Sequence, residues 1–263
     1  MSAMPQTNHE PGPTVRSGLA TDVGRVRPHN EDAALAEGEV FLVADGMGGH
    51  AAGEVASGIV IEAMRELVGS APSREKVISQ LLEANCRVLE SAAQHEERWG
   101  MGTTATGLVR VRDGEREDWV VVNVGDSRTY HLQGGELTQV TVDHSEVQEL
   151  TEAGVITAEE ARVHPARNIV TRSLGTQHAH LADSWVLPLL PGERFVLCSD
   201  GLTGEVEDAD IRDILQEHPD PQAAADALVR AAVEAGGRDN VTVVVVDLDE
   251  GAGPAPEGRT REE

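Results

Sequence analysis

Basic residues are scarce in this 263-residue chain: 21 Lys and Arg stand against 46 Asp and Glu, for a formal charge of −25. Without a basic stripe to neutralise phosphates, binding to nucleic acid or to an anionic membrane surface is excluded as a main function. Cysteine is scarce too. Cys86 and Cys198 lie far apart and neither falls in a CxxC or Cys/His spacing, so no zinc site is expected and both are predicted to be buried thiols. No apolar run reaches the roughly 18 residues of a membrane span, and Met1 to Thr14 is polar and Pro-rich rather than a charged-then-apolar leader, which predicts a soluble, cytoplasmic protein. G-x-x-x-x-G-K-[ST] and G-x-S-x-G are both missing, which removes the P-loop nucleotide hydrolase and the α/β-hydrolase. Gly125-Asp126-Ser127 could suggest a serine esterase, but the chain has no Asp-x-x-His to complete it.

What is present reads as one domain over residues 15–249 between two tails, 1–14 and 250–263, rich in Pro, Gly and charge. Val55 to Val68 and Val77 to Leu89 keep helical period and predict one helical pair; 208–218 and 222–235 predict a second, ended by Gly236-Gly237. Strands are expected at 41–44, 103–111, 119–124, 128–132, 137–142, 184–189, 195–198 and 241–248. Short turns between them indicate antiparallel hairpins. This order predicts an α+β fold with sheets packed on each other and helices outside. Residues 145–168 stand apart as short helices between strands, with Thr157-Ala158-Glu159-Glu160 matching a capping box, and could form a flap or a simple surface connection.

Four carboxylates share one setting, the end of an apolar strand beside a small residue: Asp45-Gly46, Asp126-Ser127, Asp200-Gly201 and Asp239-Asn240. Asn30-Glu31-Asp32 adds another acidic pair. One Asp-Gly is an ordinary turn. Four or five such carboxylates converging would repel one another strongly without cations, and all-oxygen ligands suit Mg²⁺ or Mn²⁺. Two such ions about 4 Å apart can activate a water and clamp a phosphate. Arg27, four residues before Glu31, is the nearest candidate to grip the phosphate oxygens.

The motifs Arg27 to Asp32, Asp45 to Glu54 (DGMGGHAAGE), Gly102-Thr103-Thr104, Val124 to Arg128 (VGDSR), Asp143-His144-Ser145, Cys198 to Gly201 (CSDG) and Arg238-Asp239-Asn240 resemble, in order, those of the bacterial metal-dependent Ser/Thr protein phosphatases of type 2C. The resemblance runs from about Ser17 to Leu248. It implies a four-layer αββα sandwich, two antiparallel sheets flanked by helical pairs, with 145–168 as a flap. It implies that Asp45 bridges two Mn²⁺ or Mg²⁺ ions, that the Gly46 carbonyl binds one, and that Asp200 and Asp239 complete the carboxylate ligands. Glu31 would act through water, Asp126 would help hold a third ion, and Arg27 would take the substrate phosphate. It also implies phosphorylated proteins as partners, among them Ser/Thr kinases and their substrates, met by a monomer. A phosphatase-like module that binds phosphoproteins without turnover is the alternative, although such members usually lack a metal carboxylate and none is missing here. One position departs from many eukaryotic members: Met47 stands where they carry a histidine proposed as general acid, leaving His50 or water as proton donor. His29, His144 and His164 are expected as loop or hydrogen-bonding residues. Ser127 and Ser199 are expected to orient neighbouring carboxylates.

Overall fold

The computed structural model describes residues 14–48, 52–176 and 182–249. The two expected tails, Thr14 apart, lie outside those residues, as does His50. Along the described chain run β1 (Val15–Asp22), β2 (Ala33–Glu37), β3 (Val40–Ala44), β4 (Gly46–Met47), α1 (Ala52–Arg65), α2 (Arg74–Gln94), β5 (Gly102–Thr103), β6 (Ala105–Asp113), β7 (Arg116–Val124), β8 (Arg128–Gln133) and β9 (Glu136–Gln139). There follow α3 (Glu146–Glu152), α4 (Ala158–Val163), β10 (Asp183–Pro188), β11 (Arg194–Cys198), α5 (Asp200–Thr203), α6 (Asp208–Glu217), α7 (Pro221–Ala235) and β12 (Val241–Leu248).

Two five-stranded antiparallel sheets, ordered β1-β12-β11-β8-β9 and β10-β7-β6-β3-β2, form the centre. Phe41, Val43, Leu108, Trp119, Val121, Phe195, Leu197, Val244 and Val246 fill the layer between them. Trp119 sits edge-on between Phe41 and Phe195 at centroid separations of 6.3 and 6.0 Å, so these few aromatic rings mark the middle of the sandwich. On one outer face, Val60 and Met64 of α1 with Leu81 and Val88 of α2 cover β3, β6 and β7. On the other, Ile211 and Leu215 of α6 with Leu228 of α7 cover β11 and β12. This is the expected four-layer αββα arrangement. It explains the unbroken valine run of β12: Val244 and Val246 face the partner sheet while Val243 and Val245 face the helices, so every position is buried.

Local signals set the helix ends. The Ser73 side chain accepts from the Lys76 N–H to start α2, and Asp220 accepts from the Ala223 N–H, ahead of Pro221, to start α7. β1 and β2 were not expected from the sequence. β1 carries Arg16, Ser17, Thr21 and Asp22 on a sheet edge, and β2 reads Ala-Ala-Leu-Ala-Glu, a helix-forming composition. Pairing with β12 and β3 makes them strands. One cysteine expectation is corrected: Cys198 is buried in β11, but Cys86 is exposed. The residues α2 buries are Val77, Gln80, Leu81, Ala84, Asn85 and Val88, and position 86 falls outside that stripe. Among the described residues no helix is long and apolar enough to cross a membrane.

Registers decide where the acids gather. Val43 pairs with Thr106, Ala105 with Val124, Cys198 with both Arg128 and Val243. The ends of β3, β7 and β11 and the start of β12 therefore lie at one end of the sandwich.

Candidate active site

Asp45 leaves β3 with its backbone fastened. Its N–H donates to Thr104 Oγ1 at 3.0 Å, and its carbonyl accepts from the Thr104 N–H and Thr103 Oγ1, each at 2.9 Å. The next residue enters β4, whose pairing with β5 sets Gly46 opposite Thr103. The Gly46 N–H donates to the Glu31 carbonyl at 3.2 Å. A Cβ at position 46 would overlap the carbonyls of Gly53 and Glu31, so only glycine lets three chain segments meet here.

Asp200 opens α5 directly after β11, and Asp239 precedes β12. A Cβ at Gly201 would overlap the Asn240 carbonyl, so the glycine permits the approach of these two turns. Asn240 ties them to the Arg27–Asp32 loop: its Oδ1 accepts from the Glu31 N–H, and its Nδ2 donates to the Val23 and His29 carbonyls, each at 2.9 Å. Arg27 lies over the edge of the cluster, its Nη2 donating to Asp239 Oδ2 at 2.7 Å.

Asp32 joins these three. Asp32 accepts from Ser199 Oγ at 2.8 Å through Oδ2, while the Ser199 Oγ itself accepts from the Thr242 N–H at 3.0 Å. Ser199 thus orients a carboxylate as expected, although that of Asp32 rather than Asp200. Ser127 instead bonds Thr104 at 2.7 Å. Asp32 was noted in the sequence only as half of an acidic pair; the signal for its role is the distant serine that folding places beside it.

Electrostatics shows how closely the carboxyls crowd. Burial first, then the charges of Asp32, Asp200, Asp126 and Asp239, push Asp45 well above the ordinary carboxylate range. Burial leads again for Asp126, pushed up to about 8, for Asp32, to about 7, and for Asp200, to about 6. Glu31 is raised mainly by burial and held back by Arg27. Among the described residues no three His, Cys, Asp or Glu side chains close on a single point as a ligand set, an arrangement that like charges resist on their own. Two atoms are orphaned: Asp200 Oδ1 and Asp32 Oδ1 are buried without a hydrogen-bond partner among the described residues. A buried carboxylate oxygen without a donor is costly, and a hard divalent cation is the partner that an all-oxygen donor set of this kind suits. The residues present therefore fit Mn²⁺ or Mg²⁺.

A cleft of about 490 Å³ is lined by Asp126 and Asp200 of the rim and by Ser145, Arg162 and Asn168 of the α3–α4 segment. The capping box at Thr157 is formed, its side chain accepting from the Glu160 N–H while Glu160 accepts from the Thr157 N–H. Met47 lies in β4 beside Gly102.

An acid-lined rim on a helix-flanked double sheet is a setting suited to divalent-metal chemistry on a phosphate ester. The sequence model of the family described as protein phosphatase 2C matches residues 27–235. The chain is 40% identical over 237 residues to the serine/threonine protein phosphatase PstP of Mycobacterium tuberculosis, which covers 89% of this chain and 45% of that protein. It is 37% identical over 239 residues to the serine/threonine phosphatase stp of Listeria welshimeri, covering 86% and 93%. The crystal structure of the M. tuberculosis phosphatase superposes with a TM-score of 0.84 at 40% identity, covering 90% of this chain and 99% of that one. A second structure, of the PstP catalytic domain in complex with two manganese ions, superposes with a TM-score of 0.81 at 38% identity, covering 90% and 99%. The chain belongs to the protein phosphatase 2C family. It spans less than half the length of the M. tuberculosis relative.

Proposed function

We propose that this protein is a metal-dependent protein phosphatase that hydrolyses phosphoserine and phosphothreonine esters. The observation that carries the reading is the convergence of Asp45, Asp200, Asp239, Asp126 and Asp32 at one sheet rim, with two buried oxygens unpartnered and Arg27 at the edge. In this reading Asp45 and the Gly46 carbonyl, with Asp200 and Asp239, hold two ions; Glu31 contributes through water and Asp126 serves a third. Mn²⁺ or Mg²⁺, when bound, supplies Lewis acidity toward the phosphoryl oxygens and lowers the pKa of the attacking water.

The chain's own residues do the rest. Thr103 and Thr104 hold the Asp45 backbone, which fixes the origin of its carboxylate. Arg27 exchanges its Asp239 partner for the nonbridging oxygens of the substrate phosphate, a planar fork suited to that group. Met47 has no proton to give, so the leaving alkoxide is protonated by another donor. Residues 15–249 form the catalytic domain and 145–168 its flap. The protein works as a cytoplasmic monomer on phosphoproteins, opposing Ser/Thr kinases.

Phosphate release from a phosphothreonine peptide, measured with Mn²⁺, with Mg²⁺ and in EDTA, tests the reading. Release is expected only with added ion; full activity in EDTA would refute it.

A further inference from the structure

Two stretches of chain cross beside the acidic rim. One is the Gly125–Ser127 turn that delivers Asp126; the other is Asp143–Ser145, where the α3–α4 segment departs. His144 joins them. Its N–H donates to the Gly125 carbonyl at 2.9 Å, and the Gly125 N–H donates back to the His144 Nδ1 at 3.1 Å. Asn123 Nδ2 adds a third bond, to the same Gly125 carbonyl, at 3.1 Å. On its other side the His144 carbonyl accepts from the Thr171 N–H at 2.8 Å, where the segment returns, and the bridge Ser145↔Val170 closes the neck.

The imidazole is only 5% exposed, so its hydrogen bonds form in a site with little competing water. Because Nδ1 accepts, the ring proton of the neutral imidazole lies on Nε2, which faces Asp183 Oδ2 at 3.2 Å. Arg172 Nη1 lies 3.3 Å from the same Nε2 and 3.4 Å from the other oxygen of Asp183, so the guanidinium and the ring share that carboxylate. No hydrogen bond joins the ring to a rim carboxylate among the described residues; its only link to the site is the Gly125 backbone. That link is reciprocal, one residue before Asp126, and continuous with the neck.

We infer that His144 is a positioning residue that latches the neck of the 145–168 segment to the Asp126 turn and so holds this carboxylate in place for a divalent ion. The inference rests on the assignment of Asp126 to a third ion. It gives the Asp-His-Ser triplet a role distinct from that of an ordinary buried histidine.

The test is Mn²⁺ titration followed by the electron paramagnetic resonance of the free ion, on the intact chain and on Asp126→Ala, His144→Ala, His144→Asn and His144→Gln. An Asn amide oxygen can stand where Nδ1 stands, whereas a Gln amide reaches to the place of Nε2. The intact chain is expected to bind one weak ion beyond two tight ones, and Asp126→Ala to lose it. His144→Ala and His144→Gln should weaken that ion about tenfold, the scale of losing a partner that orients a ligand, with the tight ions unmoved, and His144→Asn should restore it. Combining Asp126→Ala with His144→Ala should add nothing to Asp126→Ala alone. If His144→Ala does not fold, the Asn and Gln pair decides. Weak-ion binding equal to that of the intact chain in His144→Gln, or losses that are the same for Asn and Gln, would overturn the latch while Asp126 keeps its role. An Asp126→Ala protein that binds like the intact chain would remove both.

Discussion

Strands β11 and β12 lie side by side, and their two ends are opposites. At one end Arg194 and Asp247 are paired in register, and Arg194 donates to both Asp247 oxygens at 2.6 and 2.8 Å and to the carbonyls of Leu215, His218 and Pro219 at 2.7–2.8 Å. This buried cation also caps the carbonyl end of α6, so charge and orphaned backbone acceptors cancel each other. At the other end the same strands deliver Asp200 and Asp239 into a crowd of acids in which two buried oxygens have no donor among the described residues. The difference teaches where stability and function reside: the closed end satisfies itself, while the open end is complete only with a cation.

The largest effect that would break this contrast is on activity. Asp45→Asn should cut phosphate release by roughly 10³-fold, on the scale of losing a principal electrostatic stabiliser of the transition state, while raising thermal stability in EDTA because one member of the crowd no longer ionises. A variant that loses both activity and metal-free stability would contradict the reading. At the closed end the signs reverse. Asp247→Ala strands the Arg194 charge and should cost about 3–5 kcal/mol, read by urea denaturation, with turnover per folded molecule unchanged.

Acidity should sharpen the contrast further. Asp126, Asp32 and Asp200 are raised from 3.8 to about 8, 7 and 6, so across that span the folded protein holds protons that the unfolded chain has lost. Metal-free stability is therefore fullest below about pH 4 as far as these groups are concerned and declines as pH rises toward 8. Melting in EDTA should occur at a lower temperature at pH 8 than at pH 6, and Mn²⁺ should reverse the order by replacing protons with cations. An EDTA melting temperature that rises over this interval would show that the carboxylates do not crowd. The smallest effect concerns Arg27, whose loss should raise KM for a phosphopeptide about tenfold, consistent with one exposed charge-assisted contact, while Mn²⁺ binding persists. An unchanged KM would remove it from the substrate's path.

Much of this is legible in the sequence. Asp45, Asp126, Asp200 and Asp239 each end or precede an apolar run, and the helical pairs announce themselves by period and, for the second, by the Gly236-Gly237 end. β1 and β2 were not legible because their sequences lack strand character and only their partners impose it. The role of Asp32 is not legible in the sequence, since its partner Ser199 is 167 residues away. The exposure of Cys86 is not legible either, because cysteine's usual burial says nothing about which face of α2 it occupies.

By itself the sequence determined the kind of chemistry: a surplus of acid, hard oxygen ligands at strand ends, and glycines where backbones must touch. Only the tertiary structure decided which acids share a rim, that Arg27 meets Asp239, and that His144 binds the Asp126 turn to the neck of the α3–α4 segment. Local propensity acts over a few residues, whereas the registers that bring Asp45, Asp200 and Asp239 together join positions far apart in the chain and arise only when both faces of each sheet are buried.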